Sequence, residues 1–304
     1  MAISRTQLVK ELEPGLNALF GLEYKRYENQ HAEIYVTESS DRAFEEEVML
    51  SGFANEQTKA EGQGVAFDSA QETYTARYTH DTIALAFAIT EEAIEDNLYD
   101  RISSRYTKAL ARSMSNAKQV KAVTPLIDGL PSTDNFDSGD AVSLFSTNHA
   151  TVSGTAVKNT LTTQADLNET SLEQALIDIA AMTDERGLRV AARAMKMIIP
   201  SANQFTAERL MKSQGRVGTA DNDINAVVSM GMVPQGYRVN NFLTDTDSWY
   251  LITDVPNGMK MFQRAALKTA MEGDFDTGNV RYKARERYSF GVSDYRGIFG
   301  CEGA

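Results

Sequence analysis

A single cysteine, Cys301, is all the thiol in the 304-residue chain. That excludes an intrachain disulfide and a cysteine-based metal cluster, and it suits a reducing cytoplasm. The three histidines, His31, His80 and His149, are scattered. None has a second ligand at metal-like spacing, so no zinc pattern forms and no metal or cofactor is expected. No apolar run approaches the ~20 residues that span a bilayer. The longest clear one, Ile83 to Ile89, has the length of a buried strand. The first residues, MAISRTQLVKELEPG, lack the uninterrupted apolar segment of a secretory signal. No membrane partner is expected.

Positive charge is scarce where negative charge is dense. The net charge is −12, and residues 1–100 hold 20 acids against 7 lysines and arginines. Residues 101–304 are nearly balanced, with 22 acids and 23 bases. A tight nucleic-acid binder needs a large basic patch, and the balance of the whole chain opposes that. An acidic, solvated surface that maintains solubility is the simplest reading.

With 42% hydrophobic and 24% charged residues, the chain suits a soluble globular protein of roughly two domains at about 150 residues each, and the helical and strand patterns below make the expected class α+β. Two short amphipathic helices, 4–11 and 14–24, are expected on either side of Pro14-Gly15, and a third from Ser40. A polar β-arm follows at 45–80, EEEVMLSGFANEQTKAEGQGVAFDSAQETYTARYTH, with its tip at Lys59 to Gly64. Its return strand alternates Tyr74, Ala76 and Tyr78 with Thr73, Thr75, Arg77 and Thr79. An isolated two-stranded ribbon is marginal in water, so a neighbouring copy is expected to cover it.

The run at 83–89 reads as a strand buried on both faces. Thr90 then caps a helix expected from Glu91 to Val123, free of proline and glycine, ~33 residues and ~50 Å long. Ile94, Leu98, Ile102, Tyr106, Leu110, Ala117 and Val120 are its expected apolar stripe. Arg101, Arg105, Lys108 and Arg112 recur on another face, and early acids with later bases complement the helix dipole. Pro125 and Gly129 are the expected stop. A loop-rich stretch at 129–160 precedes a helix at 171–183, a strand at 195–199 and a helix at 202–211. Strands are expected at 237–242, 249–253, 265–271 and 280–288, with a short closing segment to Phe299.

Catalytic patterns are weak. Ser146 and His149 share a loop, but no Gly-x-Ser-x-Gly elbow accompanies them. Gly62-Gln63-Gly64 is too short to cradle phosphate and reads as a flexible turn. The cation row reads as a solvated or intersubunit-paired face. No catalytic site is expected.

Three stretches resemble the major capsid proteins of tailed bacteriophages, of the Hong Kong ninety-seven-type fold. These are LFSTNHATVSGTAVKN at 144–159, DERGLRVAARAMKMIIPSANQFTAERLMKS at 184–213 and RYKARERYSFGVSDYRGIFG at 281–300. The layout is most similar to the Mu-like major head subunit branch. The resemblance implies an N-terminal arm (1–44), an extended β-loop (45–80) and a peripheral domain with a spine helix (81–128). An axial domain (129–264) and returning peripheral strands (265–304) would complete it.

It further implies hexamers and pentamers tiling an icosahedral shell around double-stranded DNA, in a virion assembled in a bacterial cytoplasm. A separate scaffolding protein is expected because the β-arm begins by about residue 45, together with a portal and decoration proteins. Lys59, Gly62, Gly64, Tyr74, Arg77, Tyr78, Arg101, Arg105, Lys108 and Arg112 are the expected intersubunit contacts. Some relatives crosslink an arm lysine to a neighbour's asparagine. Lys59 and Asn279 are the matching residue types, an exposed tip lysine being the simpler reading. The acids from Glu11 to Asp41 are expected to face the packaged DNA. An encapsulin-type protein nanocompartment shell is the alternative, and a two-domain enzyme a remote one.

Overall fold

The computed structural model describes residues 5–56, 58–90, 92, 99–215, 223–274 and 278–304, without the side chains of 5–13 and 99–102. The first helix, α1 (Arg5–Arg26), runs unbroken through Pro14, where two helices were expected. Its Leu16 and Phe20 are buried against Leu110, Ala111 and Met114 of α2 (Tyr99–Asp128) and against Tyr282. That packing outweighs the local cost of a proline. After a 3-10 turn come β1 (Val36–Ser39) and β2 (Phe44–Leu50), so no helix starts at Ser40. The Ser40 hydroxyl instead donates to Glu45 at 2.6 Å and lies 2.9 Å from His80 Nε2, pinning a corner between extended segments.

The first sheet has the order β1, β10 (Met259–Gly273), β11 (Val280–Val292), β4 (Asp81–Ile89). Strand β1 is parallel to β10, and the other pairs are antiparallel. Helices α1 and α2 cover one face. Strand β4 is therefore an edge strand and not one buried on both sides: Ile83 and Phe87 face the helices, while Ala84, Ala86 and Ala88 are exposed.

Helix α2 passes through Pro125, around which Val123 and Leu126 are buried, and ends at Asp128, directly before Gly129. Residues 91 and 93–98, with Ile94 and Leu98, lie outside the described residues. The buried face carries Ser103, Thr107, Leu110, Ala111, Met114, Lys118 and Gln119, whereas Tyr106 is 53% and Val120 45% exposed. A stripe stepping by four residues advances about 40° around the helix at each step and drifts off the core side.

The second sheet has the order β12 (Ile298–Cys301), β9 (Trp249–Thr253), β7 (Ala194–Ile199), β8 (Tyr237–Val239). Around it lie α3 (Glu169–Ala181), α4 (Gln204–Lys212) and the one-turn α5 (Ala226–Ser229). Asn168 caps α3, its side chain accepting from Ser171 N while the Ser171 hydroxyl accepts from Asn168 N. A boundary at 264/265 would cut β10, and the closing strand joins the second sheet and not the first. One core continues through both parts, from Leu126 and Phe145 to Met197, Trp249 and Phe299. No helix among the described residues is long and apolar enough to cross a membrane.

Candidate assembly surfaces

Strand β2 pairs antiparallel with β3 (Glu72–Thr79), and residues 51–56 and 58–71 between them lie in the arm's distal loop. At the tip Gly62 takes φ +83°, a left-handed conformation that suits glycine, and Gln63 N donates to Ala60 O at 3.2 Å. Lys59, Gly62 and Gly64 are exposed there. The arm is less polar than its composition suggests. Phe53, Val65 and Phe67 stand in solvent, Phe67 at 99% exposure, beside exposed Val48 and Leu50 on β2. The signal for them was present as isolated apolar residues in a polar stretch, but it has no period.

The arm's root is packed into its own chain. Tyr78, 2% exposed, clusters with Ala76 and Phe262, and its hydroxyl meets that of Ser293. Half-buried Tyr74 lies against Gly139 and 6.3 Å from the Tyr295 ring. The two tyrosines are thus taken up internally and leave little surface for the neighbour they were expected to meet. Exposed Arg77 stacks over Phe44 at 4.1 Å and pairs with Glu46 at 3.8 Å.

On α2, Arg105, Lys108 and Arg112 are exposed, with no ion pair among the described residues, and the Arg101 side chain lies outside the description.

The histidine-bearing loop is a clasp and not a catalytic group. His149 is fully buried, with Nδ1 2.7 Å from Asp140 Oδ2 and Nε2 3.1 Å from Asn159 Oδ1, and its ring stacks on Tyr295 at 3.9 Å. Burial pushes the Asp140 carboxyl up, but hydrogen bonds from His149 and Ser138 together hold it below the usual range. Both ring nitrogens of His149 are thus taken by Asp140 and Asn159, while Ser146 Oγ accepts from Asn148 N. Asn159 Nδ2 donates to the carbonyls of Leu144 and Tyr295, at 2.7 and 3.1 Å. The loop at 144–159 is thereby tied to the C-terminal segment.

Two further buried clusters brace the fold. Lys118 Nζ lies 3.3 Å from Glu286 Oε2 beneath α1. Burial pushes the Glu286 carboxyl up, with Lys118 pulling it partly back. Arg296 donates to Glu185 at 2.6 Å and to Asp294 at 3.2 Å. His31 is lowered to about 4 by burial and by Lys118, against the opposing Gln119 contact. Cys301 is buried, and its thiol donates to Gln164 Oε1 at 3.0 Å. Among the described residues no group of histidine, cysteine or acid side chains is arranged to hold a metal ion. A cavity of about 750 Å³ beside Asp134, Asp137, Ser146 and Thr160 is open and polar.

A family model described as phage capsid protein matches residues 73–300. The chain belongs to the phage capsid protein family. No curated protein matches its sequence. The capsid protein shares its fold with a virus-like particle from Pyrococcus furiosus, at 9% identity over 95% of this chain and 98% of that one, TM-score 0.55. The capsid of an empty GTA particle aligns at 14% identity over 88% and 87%, TM-score 0.57. The procapsid of bacteriophage JBD30 aligns at 13% identity over 98% of this chain and 75% of that one, TM-score 0.54. At such identities the likeness is one of fold. In a capsid protein, surfaces left without internal partners are candidates for contact with other copies, and the distal arm and the cation face of α2 are two such surfaces.

Proposed function

We propose that this capsid protein assembles as hexamers and pentamers into the icosahedral head that encloses phage double-stranded DNA. One observation carries the reading. The arm is anchored at its root by Tyr78, yet presents Phe53, Val65 and Phe67 with nothing of its own chain over them. Apolar side chains so placed gain stability only on another subunit, which couples arm order to assembly. Lys59, Gly62, Gly64 and Arg77 on the arm, and Arg105, Lys108 and Arg112 on α2, are the intersubunit contacts of this reading. Separate scaffolding, portal and decoration proteins and assembly in the host cytoplasm belong to it as well. So does an inward-facing acidic segment between Glu11 and Asp41, which would keep DNA from adhering to the wall.

The test is expression of the full chain with and without a co-expressed scaffolding protein, followed by sedimentation and electron microscopy. Closed shells of uniform size are expected, and a discrete small oligomer in every condition would overturn the proposal. A protein-filled nanocompartment is the second reading, since a closed shell of this subunit could hold either cargo. Particles that copurify with one enclosed protein and no DNA would select it.

A further inference from the structure

Parallel strands β7 and β8 are joined through α4, which brings two strand ends and a helix start together at one edge of the second sheet. Open α/β sheets hold their ligands outside the carboxyl ends of such strands. A cavity of about 360 Å³ lies there, lined on the strand side by Ile198 and Asn240 and on the other by Glu28, Gln30 and Glu33 of the segment after α1. Gln30 Oε1 accepts from Asn241 N at 2.9 Å and ties that segment to the end of β8. Asn240 is 2% exposed. Its Oδ1 accepts from Phe242 N at 2.9 Å, which fixes the amide's orientation, and its Nδ2 has no acceptor among the described residues. A buried N–H without a partner weakens the fold, and a ligand oxygen in the cavity offsets that. Glu33 Oε2 lies 2.6 Å from Lys196 Nζ and 3.6 Å from Arg238 Nε, so two cations face one carboxylate. Lys196 is the nearer, and its hydrogen bond holds the Glu33 carboxyl below the usual range. Exposed Arg238 lines the cavity and gives one N–H to the Tyr237 carbonyl at 3.1 Å. The other N–H groups of its fork remain for a ligand.

We propose that this cavity binds a single carboxylate group, held by Asn240 Nδ2 and the Arg238 guanidinium. Charge and shape select that chemistry. Exposed Glu28 on the rim and Glu33 in the wall oppose a dianion such as phosphate. No aromatic ring lines the cavity among the described residues, so nothing there stacks on a nucleobase. A carboxylate brings one charge and acceptor oxygens only, which matches an amide N–H beside a guanidinium. Gln204 and Asn241 add side-chain amides, each with donors and an acceptor, beside the place where the group's carrier would enter. Such amides pair with peptide main chain, so a polypeptide C-terminus fits, and a free organic acid shares the same charged end. The site lies on the second sheet, apart from the arm, and the inference stands whether or not the chain closes shells.

Saturation-transfer NMR on the full chain tests the assignment with three probes: acetyl-Gly-Ala with a free C-terminus, the same peptide with a C-terminal amide, and acetate. The free acid is expected to bind, and the amide to bind about tenfold or more weakly. Asn240→Asp keeps the acceptor for Phe242 N and puts an oxygen where the donor stood. Arg238→Gln removes the cation at an exposed position, so the thermal midpoint stays unchanged. Each substitution is expected to weaken the free acid about tenfold or more. If Asn240→Asp does not fold, Arg238→Gln decides alone. Equal binding of acid and amide overturns the proposal, and so does binding that survives the substitutions. Absence of binding by all three probes also overturns it and leaves the cavity to solvent. Displacement of the acid by an equal concentration of inorganic phosphate does the same. Peptide binding tighter than acetate assigns the site to a polypeptide terminus, and equal binding assigns it to a small organic acid, the carboxylate being upheld in both.

Discussion

The ring of Tyr78 lies on the bare backbone of Gly291, where an added Cβ would stand 2.6 Å from Tyr78 Cε1. Gly139 does the same for Tyr74, with 2.5 Å to Cδ2. Two glycines distant in sequence thus make the sockets for the two tyrosines at the arm's root. Together they set the angle at which the arm leaves the sheet.

Gly291→Ala is expected to destabilise the free subunit by about 1–3 kcal/mol through overpacking, and to lower particle yield by displacing the root. Urea unfolding of the subunit measures the first effect and sedimentation the second. An unchanged unfolding midpoint would show that Tyr78 has room to move.

Asn159→Ala removes the hub of the 144–159 clasp. The backbone N–H of Ser146 and the carbonyls of Leu144 and Tyr295 lose their side-chain partner. At about 1–3 kcal/mol for each buried group left unsatisfied, a loss of about 3 kcal/mol or more is expected by chemical denaturation. Asn159→Asp, which keeps the acceptor and loses the donor, should fold but unfold at lower denaturant.

Lys118 and Glu286 give a test by double substitution. Glu286→Leu leaves a buried ammonium without its carboxylate and should cost about 3–5 kcal/mol. Lys118→Met combined with Glu286→Leu should recover most of that, since paired charges in a core are often replaceable by apolar groups. A double variant as unstable as the single one would show that Tyr24 and the surrounding packing, and not the unpaired charge, dominate.

His31 makes stability depend on pH. Its folded value of about 4 lies below the ordinary 6.5 of a free histidine, so the unfolded chain binds the extra proton first. Stability from this group is full above about pH 6.5 and is lost as pH falls toward 4, by about 3 kcal/mol in total. Unfolding of the free subunit at several pH values, compared with His31→Asn, checks the sign. The difference between the two proteins should shrink as pH falls.

The sheet-like arm, the long helix, the Pro200 strand end and the later strands were legible because each is written in local periodicity or in proline and glycine punctuation. The resemblance at 144–159 and 281–300 was legible too, and the structure supplies its physics: His149 and Asn159 form the clasp, and Gly291 is a socket. Less legible was the buried face of α2, because Ser103, Thr107, Lys118 and Gln119 look like surface residues until partners arrive. Lys118 meets Glu286 across 168 positions of chain, and Gln119 meets His31 across 88.

By itself the sequence determined a projecting arm with a glycine turn at its tip, the long helix that follows it and most of the later strands. Tertiary structure alone decided that α1 runs through Pro14, that Tyr74 and Tyr78 turn inward, and that β12 joins the second sheet. The reason is physical. Local propensities act over one or two turns or a few strand residues, whereas burial, ion pairing and strand register depend on segments hundreds of residues apart being brought together.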